Sequence, residues 1–435
     1  MPQLSSLKKY MQTAFRRYAK TFTALRAWPA CFISLLGCCA CISLTACGTL
    51  SSIDIDASDL HPKHRLLSDN LQTEVDSLVQ PLISQGQTPG MVVGVLLPDG
   101  RTQFFGYGTT DSSVAGKPDA DTLFAIGSLS KGFLGAITDL LVDEGMLSWD
   151  DTLVDLLPPG TPLSADARKI TLMQLATHTS GLPRQVFNTT TLQQFIGYLF
   201  TGESFYSQFD QKFVLDYLAG FEAGPVDVPK YSNIGFGLIG YILELRTGQS
   251  VDELLARKII APLGLKCTGY APDQLPCYSS RARGHAGDQP KFIQRGKAVP
   301  DWQFTQFMRG SAGVYSNARD LLTFAAAHLK GGETRFNAAL TDALQVRFYR
   351  PNEAAAVAWV ADDIEGQRIT YQIGLVAGYT SYIGIDAARK TAVVVLQNSF
   401  NWGNNVGHKL LLRLANEARE KPEGLIATNS VELPK

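Results

Sequence analysis

Charge and cysteine are both scarce in this sequence. Only 18% of its 435 residues are Asp, Glu, Lys or Arg, and the formal net charge is −1. That balance offers no basic surface for nucleic acid, which excludes that class of partner. Beyond residue 47 only two cysteines occur, Cys267 and Cys277. They could close a small disulfide loop or remain separate thiols. Long apolar runs are lacking too. The uncharged stretch 27–53 holds a run of about fifteen at 30–44, short of the roughly 20 residues that a spanning helix needs. No His-Glu-x-x-His occurs, so no metal site is expected, and no cofactor is implied. Repeats and low-complexity blocks are absent.

What is present is unevenly distributed. Residues 1–46 carry six basic residues, no Asp or Glu, and four of the seven cysteines. Without that segment the chain holds 33 Lys+Arg against 40 Asp+Glu. A basic region, an apolar core and then small residues read as an export signal. It ends in Leu44-Thr45-Ala46-Cys47, which resembles a bacterial lipobox. That resemblance implies lipidation of Cys47, an anchor in a bacterial membrane and a periplasmic location. Gly48, in place of Asp, favours the outer membrane by the same resemblance.

The polar segment 47–64 reads as a tether. Helical periodicity follows over 65–83. An apolar strand at 91–97, a Pro98-Asp99-Gly100 turn and a second strand at 102–107 predict a hairpin. The middle, about 150–340, is mostly helical segments broken by Pro and Gly. Strands return at 368–373, 379–385 and 391–397, before a last helix at 408–418. Strands at both ends and helices between predict an α+β fold, with an antiparallel sheet flanked by helices and an inserted all-helical domain. The expected boundaries are 65–135 with 341–420 for the sheet domain, 136–340 for the helical domain and 421–435 for a tail.

Ser128-Leu129-Ser130-Lys131 opens a predicted helix. Residues i and i+3 share a helix face, so the amine can lie beside the hydroxyl. A serine hydroxyl needs a base, and a lysine becomes one when burial lowers its pKa. A second Ser-x-x-Lys, at Ser5 to Lys8, falls in the targeting segment and is accidental. Tyr231-Ser232-Asn233 precedes a helix at 234–246 and offers a phenol for proton relay and an amide for orientation. Tyr315-Ser316-Asn317 is a decoy for it. Residues 235–240 fit Gly-x-Gly-x-x-Gly, but Pro225 and Pro229 stand where a strand would be needed. Close helix packing is the better account. His178 beside Ser180 reads as a helix end with polar caps, and Trp302, Phe304 and Phe307 could line a cleft or pack in the core.

Stretches 122–158, 170–184, 231–268, 310–322 and 372–400 together resemble, in order, the serine β-lactamase and penicillin-binding-protein superfamily. The resemblance is on its class C side, which includes AmpH-type D-alanyl-D-alanine carboxypeptidase/endopeptidases and related esterases. It implies Ser128 as nucleophile, Lys131 as its activating amine and Tyr231 in proton transfer. Asn233 would bind substrate and position the lysine. Backbone N–H groups of Ser128 and Leu375 would form an oxyanion hole. The family's third element, a strand with a cation such as Lys-Thr-Gly, aligns with Gln372-Ile373-Gly374. The glycine remains, consistent with close backbone approach to a ligand. Gln372 can hydrogen-bond to substrate but cannot pair with its carboxylate. Arg368 or Arg389 could replace that cation. The expected function is hydrolysis through a Ser128 acyl-enzyme, on peptidoglycan-type D-amino-acid amides. The alternatives are a carboxylesterase and a non-catalytic penicillin-binding or sensor lipoprotein.

Overall fold

A computed structural model describes residues 71–420, apart from 114–115, 225–229, 351–352, 365 and 404. Cys47, the export signal, the tether and the tail lie outside the described residues.

The chain's two ends build one sheet. The predicted hairpin forms from β1 (Gly90–Leu96) and β2 (Thr102–Gly108). Gly100 turns it at a φ of +85°, a value that favours glycine. A two-stranded ladder joins β3 (Phe124–Ala125) to β4 (Tyr315–Ser316). The remaining strands are β5 (Phe348–Arg350), β6 (Glu353–Ala355), β7 (Val360–Ile364), β8 (Gln367–Val376), β9 (Tyr379–Asp386) and β10 (Thr391–Gln397). The order across the large sheet is β2-β1-β10-β9-β8-β7-β6-β5, and every pair is antiparallel. Thus β1 lies directly on β10, with Val93 opposite Val395.

Both faces of the sheet centre are covered, which is why β1 and β10 read as continuous apolar runs. Side chains still alternate along them. Met91, Val93 and Val95 pack with Val75, Val79 and Leu410, from the helices Leu71–Ser84 and Val406–Glu420. Val92 and Leu96 face the larger core, with Leu321 and Phe324 of the helix Ala318–His328. The fold is α+β, with an antiparallel sheet flanked by helices.

The helix Ser130–Asp143 runs through that larger core, and its residues 130–141 are all buried. A helix apolar on every side belongs in a core. Phe133 stacks on Phe324 with ring centroids 4.2 Å apart. The helix Asn233–Thr247 packs closely through its glycines. A Cβ at Gly237 would come within 2.7 Å of Phe307, and one at Gly240 would lie 3.8 Å from the Gly310 Cα. Residues 235–240 are therefore a packing surface, as their flanks suggested. Cys267 and Cys277 form a disulfide with Cα atoms 5.8 Å apart.

Asp139 of the buried helix supplies a test of this packing. Its Oδ2 has no hydrogen-bond partner. Burial, and then the Asp342 carboxylate, pushes its carboxyl up to about 7. An unfolded aspartate titrates near ~3.9. The folded state therefore holds this proton more tightly, and stability falls as pH rises from about 4 to about 7. Asp139→Asn is expected to raise the unfolding free energy by about 2–4 kcal/mol near pH ~8, with the two proteins converging near pH ~4. Denaturant melts at both pH values check this; an equal gap at both would remove the titration argument.

Candidate active site

Ser128 sits in the tight turn Gly127–Leu129, which feeds directly into the helix Ser130–Asp143. Gly127 has a φ of +52°. A side chain there would also reach 3.0 Å from the backbone N of Leu375 on β8. Ser130, fully buried, locks the turn: its hydroxyl donates to Gly127 O at 2.6 Å and accepts from Val314 N at 3.0 Å. The hydroxyl of Ser128 stays half-buried and points to Lys131.

Lys131 is 1% exposed. Its Nζ lies 2.9 Å from Asn233 Oδ1, 2.6 Å from Ser311 O and 3.2 Å from Ser128 Oγ. Burial, and next the like charge of Arg184, hold this amine well below the ordinary lysine range. A neutral amine has two hydrogens and one lone pair. Lys131 Nζ donates to Ser128 Oγ as well as to the two carbonyl oxygens; once the amine is deprotonated, the carbonyls can keep its two hydrogens and leave the lone pair for Ser128. This is the arrangement of a general base beside a nucleophile.

Asn233 and Tyr231 come from the mouth of the helix Asn233–Thr247, capped by Ser232 through Gly235 N. Asn233 is held at both ends of its amide. Its Oδ1 accepts from Lys131, and its Nδ2 donates to Tyr206 Oη at 2.8 Å. Its backbone N donates to Arg184 O at 3.0 Å. It therefore orients the lysine, and one of its two amide hydrogens goes to Tyr206. Burial raises the Tyr231 phenol above its usual range, while Arg184 and a hydrogen bond with Ser128 pull it back. The phenol is pushed up and the amine down, so the roles of proton donor and base separate.

Four residues that sequence reasoning did not assign to the site are present. His178 lies 4.4 Å from the Tyr231 ring, centroid to centroid. Its Nδ1 accepts from Ser232 N, so the ring proton is on Nε2. Burial, then Lys131 and Arg184, keep it neutral. Its φ of +60° is rare for a non-glycine residue. Tyr206 donates to Gln185 Oε1 at 3.3 Å, and Trp302 and Phe304 pack on the Tyr206 ring. Arg184 Cζ lies 4.6 Å from the Tyr231 ring centroid. The signal for His178 and Arg184 was their place in 170–184, yet their side-chain chemistry needed tertiary contacts to become visible. Phe307 lies under Gly237 instead.

The strand β8 closes the site. Its partner β7 ends at Val360, opposite Tyr371, so no β7 residue pairs with β8 beyond Tyr371. Leu375 N lies beside the Gly127–Leu129 turn. Gly374 is small for a reason other than the one expected. A Cβ there would meet Ile126 O at 2.1 Å and Ser381 Oγ at 2.2 Å, so the close approach is to the protein's own turn. Gln372 is buried, and its Nε2 donates to Ala358 O at 2.6 Å. Neither arginine suggested as a replacement cation meets the nucleophile: Arg368 pairs with Asp363 and Arg389 with Asp386. The decoy Tyr315-Ser316-Asn317 is structural: Tyr315 lies in β4, and Asn317 caps Asp320 N.

A family model described as Beta-lactamase matches residues 75–417. The chain belongs to the beta-lactamase family. Among relatives of this family member, a beta-lactamase of Yersinia enterocolitica is 27% identical over 260 residues, covering 59% of each chain. The match thus spans less than two thirds of that relative. D-alanyl-D-alanine-carboxypeptidase/endopeptidase AmpH of Escherichia coli K12 is 27% identical over 314 residues, 69% of this chain and 72% of the relative. Among solved structures, D-alanine carboxypeptidase AmpC of Burkholderia cenocepacia shares the fold with a TM-score of 0.65 at 21% identity, covering 80% of this chain and 99% of that one. These relatives support a serine hydrolase of the β-lactamase and penicillin-binding-protein superfamily, the grouping that the motifs implied.

Proposed function

We propose that this beta-lactamase family member is a serine hydrolase that works through an acyl-enzyme on Ser128. The observation that carries the reading is the Lys131 amine, buried, held well below the ordinary lysine range and 3.2 Å from Ser128 Oγ. Ser128 Oγ attacks the substrate carbonyl carbon while its proton passes to Lys131 Nζ. The carbonyl oxygen takes negative charge between the backbone N–H groups of Ser128 and Leu375. The tetrahedral species collapses, and the leaving group takes a proton relayed by Tyr231. Water then attacks the ester, loses its proton to the same base and releases the acid with Ser128 restored.

The substrate class we propose is the peptidoglycan-type D-amino-acid amide, a reading supported by likeness to the AmpH carboxypeptidase/endopeptidase. One observation favours a second reading, a carboxylesterase on neutral esters. At Gln372 the strand carries an amide that is already bonded to Ala358 O. We further propose that the hydrolase acts outside the inner membrane, tethered through lipidated Cys47.

Parallel assays separate the readings. On the first, the wild-type protein releases D-alanine from a D-alanyl-D-alanine peptide and forms a penicillin adduct visible by intact mass. On the second, it turns over p-nitrophenyl esters at least about 100-fold faster than the peptide and forms a fluorophosphonate adduct alone. No adduct with either probe would overturn both.

A further inference from the structure

The site's charge balance is unusual for its chemistry. Burial holds the Lys131 amine and the His178 ring well below their ordinary ranges and raises the Tyr231 phenol above its own. The strand position that could hold a cation carries Gln372. One permanent charge nonetheless faces the reacting groups, the Arg184 guanidinium, with Cζ 4.6 Å from the Tyr231 ring centroid. Lys131 Nζ is 4.9 Å from the same centroid.

This arginine is held in place by the backbone. Its own carbonyl accepts from Asn233 N, and the preceding Pro183 carbonyl accepts from Ser232 Oγ at 2.8 Å. The segment carrying the charge is thereby bolted to the residues that carry Tyr231 and orient Lys131. Guanidinium stays charged at every accessible pH, so the field is constant through the catalytic cycle. Two effects follow from elementary electrostatics. A fixed positive charge disfavours the ammonium form of Lys131, and it favours the phenolate of Tyr231.

We propose that Arg184 is an electrostatic positioning residue of this active site, supplying to the Lys131–Tyr231 pair a positive charge that position 372 of β8 does not carry. The proposal rests on the acyl-enzyme reading above. The titratable and charged groups facing the phenol are Lys131 from the buried helix, His178 and Arg184 from the loop after Leu172–Ala176, and Tyr206 through Asn233. Lys230, next in the chain, is exposed, so solvent screens its charge.

The test is the pH profile of Ser128 acylation by a fluorophosphonate, a probe without a carboxylate, so that loss of substrate binding does not enter. In Arg184→Gln both limbs of the profile should move to higher pH. On the acid limb the acylation rate should fall about tenfold, the equivalent of a one-unit shift, and recover toward wild type at higher pH. Arg184→Lys keeps the charge and should stay within about threefold of wild type. Arg184→Met, which keeps an apolar stem over the ring and removes only the charge, replaces the Gln variant should that one fail to fold. A rate lowered equally at every pH, or unmoved limbs, would assign Arg184 to packing and overturn the proposal. If the wild-type protein itself takes no label at Ser128, the acyl-enzyme reading fails first, and the two failures are told apart by that control.

Discussion

Ser128→Ala is expected to abolish labelling by both penicillin and fluorophosphonate and to lower turnover by about 10⁴-fold or more. The size follows from the site. Lys131 Nζ is held by Asn233 Oδ1 and Ser311 O, and Ser128 Oγ is the serine hydroxyl it contacts. Stability should change little, because the lost hydroxyl is only half-buried and its partners Lys131 and Tyr231 stay in place. The neighbouring serine provides the control. Ser130 is buried and makes two hydrogen bonds across the turn. Ser130→Ala should cost about 1–3 kcal/mol of stability while leaving Ser128 reactive. Were the label instead lost in Ser130→Ala and kept in Ser128→Ala, the assignment of the nucleophile would be wrong. Intact mass and thermal melts on the two variants decide it.

The second large effect concerns one methyl group. Gly374→Ala places a Cβ 2.1 Å from Ile126 O and 2.2 Å from Ser381 Oγ. Ile126 has little room to move: its N donates to Val314 O, and its O accepts from Ser381 Oγ at 2.7 Å. The strand β8 must therefore shift away from the nucleophile turn. Overpacking of this kind costs about 1–3 kcal/mol. Leu375 N shifts with the strand, and misplacing one oxyanion donor costs about 10²-fold in rate. The expected result is a lowered Tm together with a lowered kcat. A variant with native melting temperature and native kcat would mean that β8 does not set the geometry of the reaction.

Much of this was legible in the sequence wherever the relevant contact is local. The hairpin β1–β2 was readable from an apolar run, a Pro-Asp-Gly turn and a second run. The helices Ala318–His328 and Asn233–Thr247 were readable from their periodicity and their Asn and Ser caps. The strands β5 to β7 were missed. Two of them are three residues long, Pro351 interrupts the first pair, and β7 carries Asp362 and Asp363. Such segments become strands because β8 offers them a ladder, and their own composition does not ask for one.

The active site divides along the same line. By itself the sequence determined the pairing of Ser128 with Lys131, because a spacing of three brings two side chains to the same face of a helical turn and the helix that continues it. It also determined that Asn233 follows a capping serine at a helix mouth. Only the tertiary structure decided the charge state of that pair. Burial of Lys131, the carbonyls of Asn233 and Ser311, the ring of His178 and the guanidinium of Arg184 come from segments far apart in the chain. It likewise decided that Gly374 is small for the Ile126 carbonyl and that Gln372 Nε2 donates to Ala358 O. A lysine's proton affinity depends on what desolvates it and what charge stands nearby, and neither is a property of neighbours in sequence.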